Sequence, residues 1–377
     1  MGQSPPGSSY NSDGIGLPFM QGSAEFGEHN PTPVKWCSLP AKIAEVGDLL
    51  ISVRAPVGDT NIANQRIAIG RGLATIRGGK ESITEFLRLL VQKNTAELIA
   101  NSGTGMFSSI TGKNLKEFKV LMPPLGEQKR IVDVVSSVDA YIDALQQQVE
   151  SARVARSAVL HNLLTAGGED WTETTIGEMA QWQGGITPSM ANDGYWKDGM
   201  IPWISSGDVL QLNTRGAQKH VTDAALEETS VKLLPVNTVL VVVRSGILVH
   251  TLPVAILETP STINQDIKAG VPHSAVLGQF LFWVLRSNSQ TILETCRKTG
   301  TTVQSISTEA FLKFPVLLPP LVEQKRIVEI VSSMDEAIQS TEKAVLDAKV
   351  LRTALLSDLL SGNHEIPASY DSLLGAA

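Results

Sequence analysis

Cysteine is nearly absent: Cys37 and Cys296 are the two in 377 residues. They cannot build a disulfide framework or a four-thiolate zinc site, so a reducing cytoplasm is the simplest compartment. No basic residues and apolar run follow Met1, which gives no expectation of a secretory signal. Long apolar runs are also lacking. The most apolar stretch, residues 239–257, is valine-rich but carries Arg244, Gly246, His250 and Pro253. That pattern fits two buried strands rather than a spanning helix, and no membrane role is expected. An excess of positive charge is missing as well: net charge is −7. Residues 1–121 hold 12 basic and 10 acidic side chains, and residues 168–317 hold 10 and 14. Neither segment is a basic patch, so charge alone does not point to a nucleic acid. Any DNA partner would draw much of its phosphate attraction from other subunits.

What is present supports packed cores. Hydrophobic residues make up 42% and charged residues 18%, a globular balance, and the length suggests two or three domains. The organising feature is an internal repeat. Met122-Pro-Pro-Leu-Gly-Glu-Gln-Lys-Arg-Ile-Val returns as Leu318-Pro-Pro-Leu-Val-Glu-Gln-Lys-Arg-Ile-Val, and the offset of 196 (122 to 318) holds without a gap to Leu164 and Leu360. The segments between repeat more faintly. Leu17-Pro18-Phe19 answers Ile201-Pro202-Trp203, and Val53-Arg54 answers Val243-Arg244. Asn64-Gln65 is matched with Asn264-Gln265, and Ser109-Ile110 with Ser305-Ile306.

Within each repeated segment, short β-branched runs are separated by Gly, Pro, Asn and Ser clusters and closed by one or two helices. The expected fold is therefore α+β: two α/β modules separated by two long antiparallel coiled-coil helices in a pseudo-twofold tandem repeat. The expected boundaries are a first module over residues 1–121 and a first helix over 122–166. A second module follows over 167–317, then a second helix over 318–362 and a polar tail over 363–377. Residues 171–183 open the second module with a strand-like prelude that has no counterpart before Gly2. Either the start is internal or the first module lacks its opening strand, and the tail does not look able to replace it.

Each Pro-Pro marks a strand-to-helix boundary, because proline suits the first helical turn and forces its predecessor into an extended conformation. Apolar residues then recur at Ile131, Val135, Val138, Ile142, Leu145, Val149, Ala152, Val159 and Leu163. The second copy runs Ile327, Val331, Met334, Ile338, Val345, Ala348, Leu355 and Leu359. This 3.5-residue seam is a coiled-coil pattern, and forty residues of helix would extend ~60 Å, enough to hold two modules apart. Arg156 and Arg352 break the seam at equivalent places. An antiparallel pairing would set Arg156 beside Asp335 and Arg352 beside Asp139, a register device; the alternative is that both arginines reach out to solvent.

With these motifs the chain resembles the specificity subunits of Type I restriction-modification enzymes, over nearly its whole length. The resemblance implies two target-recognition modules, each reading one half of a bipartite double-stranded DNA site, with helices that set the spacer. It implies docking of two modification (methyltransferase) subunits, to which restriction (translocase and nuclease) subunits attach. It also implies no catalytic site and no cofactor in this chain, with S-adenosylmethionine, ATP and Mg²⁺ belonging to the partners.

Duplication supplies a sorting rule: positions kept between modules serve fold or phosphate contact, whereas base-reading positions differ. Arg54 and Arg244 fall in the kept class, each after an apolar run, where an arginine solvating a strand end is an equal alternative. Candidate base readers are Gln3, Ser4, Gln21, Ser23 and Lys35 in the first module. In the second they are Ser205, Ser206, Asp208, Arg215, Lys219 and His250, residue types able to address base edges. For each of them taken singly, an ordinary loop residue is the favoured reading.

Catalytic motifs are weak. Gly112-Lys113-Asn114 ends like a phosphate-binding loop but has Asn where Ser or Thr is required. Glu127-Gln128-Lys129 and Glu323-Gln324-Lys325 mimic part of a nuclease motif, yet lie at helix starts, and their duplication suits subunit docking or capping better. Two other readings stay open at this point: a DNA methyltransferase or nuclease with a concealed site, and a coiled-coil scaffold protein.

Overall fold

The computed structural model describes residues 1–100, 109–212, 216–298 and 303–374. The chain divides into two compact units, residues 1–147 with 342–377 and residues 148–341. Each combines one α/β module with one half of each long helix. The division thus falls inside the helices and not at the module–helix joints.

In unit 1 the described residues of the module form eight short strands: β1 (Tyr10–Asn11), β2 (Leu17–Met20), β3 (Lys35–Cys37), β4 (Ile43–Ala44), β5 (Leu49–Ser52), β6 (Thr60–Ile62), β7 (Ile67–Ile69) and β8 (Leu73–Ile76). One sheet has the order β1-β3-β2-β7-β4 and the other β6-β5-β8. The pair β2 and β7 is parallel, and the remaining pairs are antiparallel. Strand β5 is buried at all four residues. Leu50 packs with Met20, Ala44 and Ile67, whereas Leu49 and Ile51 pack against Val91 and Leu98 of α1 (Thr84–Ala100). A strand covered on both faces needs no polar alternation, which explains its continuous apolar sequence. Helix α2 (Gly112–Glu117) follows, with Thr111 and Asn114 forming a reciprocal cap at its start, so Lys113 lies in a short capped helix. Next comes α3 (Leu125–Thr165).

Unit 2 opens with β9 (Thr172–Thr175), α4 (Ile176–Met179) and β10 (Ala180–Gly184). It continues through β11 (Ile201–Ile204), β12 (Lys219–Val221), α5 (Asp223–Glu228), β13 (Val239–Val242), β14 (Val254–Ile256), β15 (Thr262–Ile263) and β16 (Ile267–Pro272). Helices α6 (Gly278–Ser287), α7 (Ser289–Cys296) and α8 (Thr308–Leu312) precede β17 (Pro315–Leu318) and the second long helix, α9 (Leu321–Leu359). The sheets are β12-β11-β15, β10-β16-β13-β14 and β17-β9. The valine-rich run resolves into β13 and β14, an antiparallel pair with Val239 opposite Ile256. Among the described residues no helix is long and apolar enough to cross a membrane.

The registers align the two modules residue by residue. In both, the first strand of the pair pairs in parallel with the strand that follows the apolar centre: Met20 faces Ile69, and Ile204 faces Ile263. Carrying this register forward places Asn264-Gln265 opposite Gly70-Arg71 in the alignment. The expected match of Asn264-Gln265 with Asn64-Gln65 is therefore corrected, because Asn64-Gln65 precedes β7 whereas Asn264-Gln265 follows β15.

The long helices begin directly after each Pro-Pro, as proline's fixed φ favours. Their seams carry Ile131, Val135, Ile142 and Val149 in α3, and Ile327, Val331, Ile338, Val345 and Ala348 in α9, all buried. Within unit 1, Ile131 and Val135 cluster with Leu356, Leu359 and Leu360, so the two halves run antiparallel there. In unit 2, Leu160 joins the cluster of Ile327 and Val331. The sequence pattern favoured Val159 and Leu355 at these last turns, but Leu160 and Leu356 are the buried residues. A 3.6-residue helix drifts off a 3.5-residue seam by roughly 20° per heptad, and here the last turn of α3 also packs on the second module, beside Phe280, and that of α9 on the first, beside Phe86.

Candidate nucleic-acid interface

The polar surface of each module is held against its helix by one buried amide. Gln128 is fully buried and donates through Nε2 to the carbonyls of Glu81 and Pro123, both at 2.8 Å, while its Oε1 accepts from the Ile83 amide at 2.9 Å. Gln324 repeats this clamp in unit 2, donating to the Ala275 and Pro319 carbonyls at 2.9 Å and accepting from the Leu277 amide at 2.9 Å. All four sites of such an amide cannot be left dry without a cost of about 1–3 kcal/mol, so the side chain fixes module to helix. The duplicated Glu-Gln-Lys-Arg is thus explained at its Gln by internal stapling. Its flanking acid differs between units. Glu127 accepts from the Ile366 amide at 2.8 Å and pairs with Arg130, which also meets Asp371 of the tail helix α10 (Asp371–Leu374). Glu323 pairs with Arg326 alone among the described residues.

Further along the helices, Arg352 makes a two-pronged pair with Asp139, its Nη2 donating to Oδ2 at 2.9 Å. The carboxylate beside it raises the guanidinium pKa above its ordinary value. In unit 2, Arg156 donates to Asp335 and lies over the face of Trp283, 5.5 Å from the ring centroid. The structure therefore brings together both pairs that the seam pattern singled out.

In unit 1, Gln21, Ser23 and Arg54 line one cleft of about 470 Å³ together with Asp59 and Arg71. Ser23 donates to Asp59 at 3.0 Å, and Gln21 exchanges hydrogen bonds with Ser4 at 3.0–3.2 Å, which brings Ser4 to the cleft's edge. Gln3 is exposed, its amide bonded to the Ile69 carbonyl. Lys35 stands apart on β3. Arg71 was not foreseen. Its only signal in the sequence is a cation between two glycines, Gly70 and Gly72, and Gly72 has no room for a side chain, since a Cβ there would stand 2.4 Å from the Gln21 carbonyl oxygen. Both Arg54 and Arg71 are exposed, with no carboxylate at salt-bridge distance among the described residues.

Unit 2 differs at the same place. Arg244, the counterpart of Arg54, donates to Asp266 at 2.5 Å, and Asp266 stands where unit 1 has Gly72. Arg71 is answered by Gln265, which accepts from Thr187. The shared-work reading of Arg54 and Arg244 therefore needs amending, since one guanidinium is open and the other neutralised. The Asp208 carboxylate is 5% exposed and taken up by the amide and hydroxyl of Ser205, at 2.9 and 2.7 Å, as a turn residue's would be. This geometry speaks against Asp208 and Ser205 reading bases. Ser206 is half-buried in the same turn. Lys219 opposes Trp203 in register just as Lys35 opposes Phe19, so the two lysines occupy equivalent positions and are not divergent ones. Lys219 also lies 5.8 Å from the centroid of the Trp196 ring. His250 is exposed beyond a short 3-10 turn. Arg215 lies outside the described residues.

A pair of open guanidiniums beside an amide is suited to a phosphodiester backbone and an adjacent base edge. Comparisons with known proteins bear on the chain as a whole. The family model for the Type I restriction modification DNA specificity domain matches residues 39–152 and 168–348. The specificity subunit of an Escherichia coli Type I restriction enzyme is 34% identical over 218 residues, covering 57% of this chain and 54% of the relative. The chain thus spans about half the length of that relative. A Type I specificity subunit from Methanocaldococcus jannaschii is 23% identical over 365 residues, covering 90% of this chain and 83% of the relative. A chain solved in work on complex assembly and conformational transition of the type I R-M system superposes with a TM-score of 0.66, covering 92% of both chains at 16% identity, a likeness of fold.

Proposed function

The chain belongs to the Type I restriction modification DNA specificity family, and on that premise we propose that it is the DNA-reading specificity subunit of a Type I restriction-modification complex. Each module reads one half of a bipartite double-stranded site. The two long helices set the spacer and dock two modification subunits, which in turn carry the restriction subunits. The chain itself is non-catalytic. S-adenosylmethionine, ATP and Mg²⁺ are handled by the partners.

One observation carries this reading: the same build occurs twice, stapled by the same glutamine, yet the polar clefts differ, with two open cations in one unit and an Arg–Asp pair in the other. Equal scaffolds with unequal surfaces suit unlike half-sites, as linked readers match separated sites. The open arginines of unit 1 take phosphate, with Gln21 and Ser4 close enough to address a base edge. In unit 2, His250 and Ser206 remain candidate base readers, and Arg215 with them, while Lys219, matched by Lys35, falls with the shared contacts.

The test is to co-express the chain with its modification subunit, map the methylated bases, and repeat after exchanging residues 1–121 for another family member's first module. One half-site should change while the other and the spacer stay. An unaltered site would support the scaffold alternative and sink the reading.

A further inference from the structure

Gln265 stands at a position that differs between the modules. Matched with Gln65, it would be a kept residue, given to shared work. Two anchors set it against Arg71 instead. Ile204 faces Ile263 as Met20 faces Ile69, and the Val243 amide donates to the Asp266 carbonyl at 2.8 Å as the Val53 amide does to that of Gly72 at 2.9 Å. Divergent positions are the class in which base readers fall.

The backbone that carries Gln265 is pinned on both sides. Asn264 is buried, and its Oδ1 accepts from the Asp266 amide at 3.1 Å, closing an Asx turn around Gln265. The Asn264 amide donates to the Ile204 carbonyl at 3.0 Å, which ties the turn to β11, and the Asp266 carbonyl ties it to the end of β13. The Asp266 carboxylate is neutralised by Arg244, so the turn presents no bare negative charge next to Gln265. The Gln265 side chain itself is exposed. The Thr187 hydroxyl donates to its Oε1 at 2.5 Å, which fixes which end of the amide is oxygen. A carbonyl oxygen accepts twice and an amide nitrogen donates twice, so Oε1 keeps one free lone pair. Nε2 has no partner among the described residues.

Unit 1 contains the same couple with the amide supplied by another strand. The Gln3 amide donates to the Ile69 carbonyl at 3.1 Å as the Ile186 amide does to that of Ile263 at 3.0 Å, so Ser4 is the counterpart of Thr187. Ser4 holds the Gln21 amide, which follows β2. At the place of Gln21, unit 2 has Ser205, whose hydroxyl is spent on Asp208. The hydroxyl is therefore kept in both modules, while the amide it holds comes from after β2 in one and from after β15 in the other.

We propose that Gln265 reads an adenine in the half-site of the second module and that Thr187 is its positioning residue. Oε1 accepts from the N6 amino group of the adenine and Nε2 donates to N7, the two-point contact that an amide makes in the major groove. Guanine would set O6, an acceptor, against Oε1, and a pyrimidine has no N7. This inference rests on the DNA-reading role proposed for the module, and the experiment separates the two.

The chain is co-expressed with its modification subunit, and methylated bases are mapped for the wild type, Gln265→Ala, Thr187→Val and Thr187→Ser. They are mapped again after exchange of residues 167–317 for another family member's second module, which identifies the half-site concerned. In the wild type, one position of that half-site should prefer adenine by about ten- to hundredfold. Gln265→Ala should remove the preference, Thr187→Val should weaken it and Thr187→Ser should keep it, with the other half-site and the spacer unchanged. In the purified complex, 7-deazaadenine at that position should weaken binding by the wild type but not by Gln265→Ala. If the module exchange alters the half-site while Gln265→Ala leaves its preference intact, the assignment is overturned and the module still reads DNA. Equal loss at both half-sites overturns it too, as does equal binding of the 7-deazaadenine duplex and the parent duplex by the wild type. A site unaltered by the module exchange would instead remove the DNA-reading premise, and this assignment with it.

Discussion

In each unit one buried glutamine amide bonds backbone groups at the joint of module and helix. Gln128 satisfies two carbonyls and one amide that would otherwise be sealed from water between module and helix. Replacing it by leucine keeps the volume but strands those groups, so Gln128→Leu should cost about 2–3 kcal/mol, read as a lower urea midpoint with little change in slope. At the proposed DNA surface the contrast is between Arg54 with Arg71 and Arg244. The first two are open cations, and the third is tied to Asp266 at 2.5 Å. In the complex with modification subunits, Arg54→Ala and Arg71→Ala should each reduce the slope of log affinity against log salt by about one. Arg244→Ala should change it far less. Equal slopes for all three would remove the distinction.

The element scale is governed by the long helices and by which layers they bring face to face. Leucines and isoleucines at a regular seam allow several registers, whereas a charged layer allows few, because a shifted register buries a charge without its partner. Asp139 with Arg352 in unit 1 and Asp335 with Arg156 in unit 2 supply that layer. A double-mutant cycle on Asp139→Ala and Arg352→Ala should show a coupling of roughly 0.5–3 kcal/mol. Additive single effects would mean that both side chains are merely solvated. The Arg156 site has a further contact in the Trp283 ring, while the matching helix in unit 1 presents aliphatic residues in the cluster of Phe86 and Leu89. The two layers are therefore alike in charge and unlike in surroundings.

For the whole molecule, the exact repeat at Pro-Pro-Leu-x-Glu-Gln-Lys-Arg-Ile-Val was enough to predict two modules and two helices, because long-period duplication and a 3.5-residue seam are properties of the sequence alone. The valine runs likewise showed their burial, since strands covered on both faces cannot alternate. What the chain order could not reveal was which side chains meet across it. Arg71 joins Arg54 only because β5 and β8 pair. Asp266 quenches Arg244 only because the residue in the place of Gly72 carries a carboxylate, and Asp208 turns inward on Ser205. Periodicity and repetition are written along the chain, whereas neutralisation and exposure depend on residues brought together from distant positions, and folding alone settles those.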